Sequence, residues 1–411
     1  MSKKIRIEHA SNPLNYGTSM MVINFMYYLD KYSQYKNQYV LDVYNDKDLH
    51  NFSNQYKEGN IKRETIDYSL TYSNNIIEKI INKIKRKVSF NYFYNRKVEK
   101  LKNNTDKLVI LGGDDLSEYY GVEGLKRELS RIENIKDQIK VFLIGQTIGP
   151  FYDERIELAK QSLKNIPIYS RDPWTTKYLK DDLGLIDNKE SADLALLPLP
   201  YQENKKIEKG ILEKYKLTTD DYITIVPSGL YKSYCNDKKI YIDNWIDIVK
   251  GLKNKFPEKK LVFLPHVLRY SQYDDRNIIK ELEKELKEDH IYIYDEMMPL
   301  EARFILGNGL FTVTGRMHGA ISTLQMGKPA ISISYSEKYN GVIGEGLKLK
   351  DTIVHGKTID KWTNFTVSKE VLKTVDIVCD DMEKFKDRIV KSVSEAKLSV
   401  EEMIKKISRE I

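Results

Sequence analysis

Two residues suited to anion binding and proton transfer stand one position apart in Gly315-Arg316-Met317-His318-Gly319, and a Tyr335-x-x-Lys338 pair follows downstream. Residues 310–314 ahead of them are β-rich, residues 320–326 are apolar with helical character, and residues 330–334, after a Gly-Lys-Pro break, read as a second strand. In such a strand–turn–helix–strand unit a ligand binds where the strand's carboxyl end meets the helix's amino end. There the free N–H groups and the helix dipole favour an anion. A guanidinium fork and an imidazole at that spot suit a small doubly charged acid or a phosphate. Each residue also has a plainer reading, Arg316 as half of a structural ion pair and His318 as a satisfied core histidine. Their shared turn favours the functional one.

Further chemistry-bearing residues fall at other strand ends. The apolar run 108–111 ends in Gly112-Gly113-Asp114-Asp115, where glycines allow close approach of a ligand and the carboxylates can act as a base or orient hydroxyls. A plain turn is the alternative. Residues 141–144 lead to Gly145-Gln146 and on to Gly149-Pro150-Phe151, residues 168–170 to Arg171-Asp172, and residues 261–264 to Pro265-His266. Asp193 stands at an expected strand start. Near the beginning, a strand over 5–8 runs into Asn12-Pro13-Leu14-Asn15-Tyr16-Gly17-Thr18-Ser19, ahead of a helix over 20–29. That loop can cradle a phosphate or a sugar, or serve as an ordinary capped turn.

The elements that must position these residues alternate strand with helix, which predicts an α/β protein of two Rossmann-like domains facing a cleft. The first is expected over 1–200 and the second over 201–379, joined at Leu197-Pro198-Leu199-Pro200; a charged amphipathic helix over 380–411 is free to fold back on the first. Residues 46–105 interrupt the pattern as a basic insertion, polar and irregular up to residue 73. Within it, isoleucine and valine recur at helical spacing over 76–88 among lysines, with Phe90, Tyr92, Phe93 and Tyr94 directly after. Such a helix either packs on its own domain or makes peripheral contact with the inner membrane face.

Composition narrows the classes. The chain has 411 residues, 41% hydrophobic and 31% charged, with a formal net charge of +7 spread over lysine-rich helices. This suits anionic small partners and not nucleic acid. No run approaches the roughly 18 apolar residues of a membrane span, and the polar residues 1–10 lack a signal peptide's apolar core. Only Cys235 and Cys379 occur, so neither a disulfide framework nor a cysteine metal site is expected. A cytoplasmic location follows as the expectation.

Taken in order, Asn15-Tyr16-Gly17, Gly112-Gly113, Ile144-Gly145-Gln146, Ser170-Arg171-Asp172, Asp193, Leu264-Pro265-His266, the Arg316-x-His318 turn and Tyr335-x-x-Lys338 resemble the polysaccharide pyruvyl transferase family over most of the chain. Thr18 stands where that family's first loop usually has an acid, and Asp114 where it often has a third glycine. The resemblance implies the two-domain fold of inverting glycosyltransferases. It also implies transfer of pyruvate from phosphoenolpyruvate to a sugar of a cell-surface glycan, or of its lipid-linked precursor, as a cyclic ketal. Phosphoenolpyruvate is then the donor substrate, with no cofactor and no metal, and the sugar acceptor belongs to the first domain. In that reading Arg316 and Arg171 bind the donor's anionic groups, Lys338 adds a charge on its phosphate, and His318 gives the proton. One of Asp115, Asp114 and Asp193 takes the hydroxyl proton. His266, Asn15, Gly17, Gly112, Gly113 and Gln146 complete the substrate site. Two other functions suit the same sequence: a nucleotide-sugar-dependent glycosyltransferase, and a non-catalytic member of a polysaccharide-assembly complex.

Overall fold

A computed structural model describes residues 3–64, 101, 103–269, 272–286 and 290–411. Seven strands, β1 (Lys3–Glu8), β2 (Asn37–Leu41), β3 (Ile61–Arg63), β4 (Lys107–Gly113), β5 (Lys140–Gln146), β6 (Ile168–Ser170) and β7 (Lys189–Glu190), form a sheet in the order β3-β2-β1-β4-β5-β6-β7. Six more, β8 (Tyr222–Val226), β9 (Lys260–Phe263), β10 (Ile291–Tyr292), β11 (Thr312–Thr314), β12 (Ala330–Ser334) and β13 (Ile353–His355), form a second in the order β10-β9-β8-β11-β12-β13. Every strand pairing is parallel. Parallel strands are covered on both faces, which is why β4 carries the unbroken apolar run 108–111 and every residue of β8, Thr224 included, is buried. Strand order reverses between β1 and β4 and again between β8 and β11. Connections leave such a point in opposite directions and open a crevice at the strands' carboxyl ends.

The two halves share one apolar core. It runs from Val109, Leu111 and Ile144 under the first sheet, through Met20, Leu306 and Ala320, to Val226 and Leu264 under the second. The helix Tyr16–Tyr32 lies at its centre, and Met382–Glu410 packs along it, with the Tyr32 hydroxyl donating to Glu401 Oε2 at 2.9 Å. The segment that crosses between the halves is held from both sides. From the first half, the Asn24 amide donates to the carbonyls of Leu194 (2.8 Å) and Leu197 (3.0 Å). From the second, Arg303 donates to the carbonyls of Ala195 (2.5 Å) and Leu197 (2.9 Å).

Several local expectations are corrected. The first helix begins four residues earlier than its apolar pattern, at Tyr16, because the Asn15 side chain caps it by accepting from the Thr18 amide. Residues 46–64 are not irregular: Asn45 caps a polar helix, Asp46–Gln55, through the Asp48 amide at 2.8 Å, and β3 joins the sheet edge beside β2. The helix after Arg316 starts at Met317, not Ala320, which puts His318 in its first turn. Asp193 does not open a strand, because β7 ends at Glu190. It caps a single 3₁₀ turn, Leu194–Leu196, by accepting from the Ala195 amide at 2.9 Å. The basic stretch over 76–94 lies outside the described residues. No helix among those described is long and apolar enough to cross a membrane.

The clamp on the crossing segment gives a stability expectation. Replacing Asn24 by Ala removes one of two donors from each carbonyl, the Leu197 amide still reaching Leu194 and Arg303 still reaching Leu197, and is expected to cost about 1 kcal/mol, read as a lower urea midpoint with an unchanged slope.

Candidate active site

A cavity of about 460 Å³ opens where both crevices meet and is lined from both halves. Two helices present their amino ends to it: Tyr16–Tyr32, through Asn15 and Thr18, and Met317–Gln325, through Arg316, Met317 and His318. The partial positive charge of those ends favours an anion. Arg171, His266 and Lys338 also line it, as do Gly112, Gly113, Asp114 and Asp115.

His318 is placed by both halves. Its Nε2 lies at an ion-pair distance of 3.3 Å from Asp193 Oδ2, off the line of a hydrogen bond, and its ring sits against Gly17, where a Cβ would fall 2.3 Å from the imidazole Cγ and Nδ1. Gly17 therefore acts by what it lacks, leaving room for a ring delivered from the other sheet. Asp193 is fully buried and also accepts from Arg171 Nη1 at 3.0 Å. Burial alone would raise its carboxyl pKa, but His318 and Arg171 hold it well below the usual carboxylate range. Arg171 is buried in turn, with its Nε donating to Thr147 Oγ1 at 2.9 Å.

Arg316 is pinned from behind. Its Nε and Nη2 donate to Asp275 Oδ1 at 3.1 and 2.6 Å, and Nη2 reaches the Tyr273 carbonyl at 3.3 Å. Asp275 is fully buried and also accepts from the backbone amides of Gly229 (2.6 Å), His266 (3.0 Å) and Val267 (2.8 Å). It ties the loops after β8 and β9 to one guanidinium. Both readings of Arg316 thus hold together: it is half of a structural ion pair and it lines the cavity. Burial would lower its pKa, and Asp275 more than offsets that.

Lys338 bridges the cleft, donating to Asp114 Oδ2 at 3.1 Å and to the Tyr335 hydroxyl at 2.7 Å. The acid at that third position of the glycine loop is thus the lysine's counter-ion. His266 is buried beneath, edge-on to Tyr16 at 5.6 Å, and its Nε2 has no hydrogen-bond partner among the described residues. Burial first, then the nearby His318, Arg316 and Arg303, push its pKa well below the ordinary value, so it is a neutral imidazole.

The three carboxylates singled out from the sequence fall in different places. Asp193 is sealed behind His318, Asp114 is engaged by Lys338, and the Asp115 side chain is 56% exposed to the cavity. Asp115 owes its position to Gly113, where a Cβ would fall 2.4 Å from its Oδ2. Gln146 does not line the cavity: it is buried and donates to the Ile110 carbonyl at 3.1 Å. Two residues that sequence reasoning passed over belong here, Asp275 and His9. His9 directly follows β1, and its Nδ1 lies 3.4 Å from Asp115 Oδ2. Asp275 carried only the weak signal of an acid pair ahead of a helix, and His9 carried none. Among the described residues, no three His, Cys, Asp or Glu side chains are grouped to hold a metal ion.

The polysaccharide pyruvyl transferase model matches residues 16–337, from the first helix through Tyr335. The chain belongs to the polysaccharide pyruvyl transferase family. This is a family of transferases, and most of the cavity's lining falls within the matched span, with His9, Asn15 and Lys338 just outside it. The fold is also that of UDP-GlcNAc 2-epimerases, two-domain proteins of the glycosyltransferase B type. The Neisseria meningitidis enzyme is similar with a TM-score of 0.58 at 11% identity, covering 95% of this chain and 94% of that one. The Rickettsia bellii enzyme gives 0.55 at 14%, covering 98% of each. The Methanocaldococcus jannaschii enzyme gives 0.55 at 13%, covering 89% and 92%. At such identities the likeness is one of fold.

The buried array gives a pH expectation. Asp193 has a lowered folded pKa, so its stabilisation is fully present above the ordinary aspartate value near 4 and is lost as pH falls through the folded value. Asp193→Asn leaves Arg171 buried beside a neutral group and is expected to cost on the order of 3 kcal/mol at pH 7. Denaturation across pH should show that deficit constant down to about pH 4 and shrinking below it.

Proposed function

We propose that this pyruvyl transferase family member moves pyruvate from phosphoenolpyruvate onto two hydroxyls of a sugar, as a cyclic ketal, with release of phosphate. The acceptor in this reading is a sugar of a cell-surface glycan or of its lipid-linked precursor. One observation carries the reading: His318, backed by a buried carboxylate, stands at a helix start beside Arg316, His266 and Lys338. A small dianion with a protonatable carbon needs that set.

The chemistry assigns the groups. Protonation of the donor's methylene carbon puts cationic character on the central carbon, where a hydroxyl attacks. A second hydroxyl then attacks the same carbon, the bond to phosphate breaks, and the ring closes. Of the two hydroxyl protons released, one balances the proton given to the methylene and the other leaves with phosphate. Asp193 on Nε2 leaves His318 Nδ1 as the nitrogen that delivers the proton, in the manner of a carboxylate-oriented histidine. Arg316, fixed by Asp275, and Lys338 take the carboxylate and phosphate, and His266 donates a neutral hydrogen bond. Arg171 acts through Asp193. Asp115 is the base for the hydroxyls, since it alone of the three carboxylates is open to the cavity. A larger cavity of about 970 Å³ shares Leu230, Tyr273 and Tyr335 with this one, and gives the rest of a glycan acceptor room to leave the reacting sugar.

Incubation with phosphoenolpyruvate and a panel of aryl or lipid-linked glycosides, followed by mass spectrometry, should show a gain of one pyruvyl ketal and stoichiometric phosphate. Phosphoenolpyruvate should raise the melting temperature, whereas a nucleotide sugar that did so in its place would favour the glycosyltransferase reading. His318→Ala is expected to lower kcat about a hundredfold or more with little change in the KM for phosphoenolpyruvate. Gly17→Ala, which displaces the same ring, should lower kcat without touching the donor's anion contacts. Full activity of His318→Ala at every pH would remove it from the mechanism.

A further inference from the structure

The Asp115 carboxylate is not a lone acid. His9 directly follows β1 at a φ of 66°, a left-handed backbone that a non-glycine residue adopts only where its surroundings hold it. Its ring lies between two acids at ion-pair distances, Nδ1 at 3.4 Å from Asp115 but off the line of a hydrogen bond, and Nε2 at 4.0 Å from Glu128. Glu128 is itself fixed, accepting from Arg131 Nε (3.0 Å) and Nη2 (2.5 Å), and Arg131 also reaches Glu8 at 2.6 Å. A chain of alternating charge thus runs from the buried side of the first sheet to the one carboxylate of the three that faces the cavity.

We propose that His9 is a positioning residue for the transfer, a cation behind Asp115 that aims and ionises the carboxylate which takes the acceptor's hydroxyl protons. The inference rests on the pyruvyl-transfer reading for what Asp115 does, and on the geometry alone for the pairing. The first half then carries its own histidine–aspartate pair, opposite in sense to Asp193 and His318: here the aspartate meets substrate and the histidine stands behind. The charged groups around His9 agree. Glu8 on its own strand, Asp42 after β2, Asp115 after β4 and Glu128 on the helix Val122–Ile135 are the acids, and Arg6 and Arg131 the bases. Burial would lower the imidazole pKa, but Asp115, Glu128 and Glu8 push it up to about 9. Against burial, His9, then Lys338 and Arg171, hold the Asp115 carboxyl below its usual range.

The test compares wild type with His9→Gln and His9→Arg, using phosphoenolpyruvate and a p-nitrophenyl glycoside that the wild type accepts. His9→Gln should lower kcat on the order of tenfold through a misaimed base, leave the KM for phosphoenolpyruvate unchanged, and move the acid limb of kcat to higher pH. The limb moves up because Asp115 loses the charge that keeps it ionised. His9→Arg should keep the limb near its wild-type position. An unshifted limb in His9→Gln, whether or not activity falls, overturns the proposal and leaves His9 a structural residue. Histidine NMR titration of the wild-type chain decides the pairing without any acceptor. His9 should titrate near pH 9 and fall in Asp115→Asn, and an unchanged value in that variant overturns the pairing. A wild type that releases no phosphate with any acceptor would sink the functional reading, while the titration would still decide the pairing.

Discussion

The buried array of Arg171, Asp193 and His318 is the constraint on which the cavity depends. A carboxylate without water is costly unless charge and hydrogen bonds surround it. Asp193 meets that condition only while Arg171 comes from the end of β6, the Ala195 amide from its own turn and His318 from the other half. The array therefore fixes the distance between the two sheets as well as the pose of one imidazole. The clamps by Asn24 and Arg303 on residues 194–197 serve the same end, since they hold the segment that carries Asp193. Arg303 does so as a buried cation surrounded by carbonyls, and burial pushes its pKa down to about 9.

Environment divides the work among residues of one type. Three aspartates close in space become an orienting group, a counter-ion and a base because one is sealed, one is engaged by a lysine across the cleft and one is open. The histidines divide likewise: His266 is kept neutral by burial among cations, whereas acids on two sides keep His9 charged. Sites in which neighbours push titratable groups apart in this way can run acid and base chemistry at one pH.

Much of the architecture was legible in the sequence. Continuous apolar runs such as 108–111, each followed by glycine or a polar turn, read as strands covered on both faces, and their alternation with helices implies parallel sheets and two crevices. Arg316, His318 and Lys338 were legible as a group because strand–turn–helix spacing puts them at one crevice, and they line one cavity. Less was legible where a side chain sets the structure locally. Asn15 and Asn45 start helices ahead of the apolar pattern, and Asp193 looked like a strand residue because its capping role depends on the turn after it. Long-range pairing was not legible at all. Nothing near Asp275 announces Arg316, and nothing near His9 announces Asp115, since these partners meet only after the sheets form.

The central claim is that Asp193 contributes to turnover only through His318, from the opposite half of the molecule. A double-mutant cycle on kcat for phosphate release from phosphoenolpyruvate, with Asp193→Asn, His318→Ala and the pair, measures that coupling directly. Each single variant should be impaired, and the double variant should be no slower than His318→Ala alone. Independent losses that multiply in the double variant would contradict it.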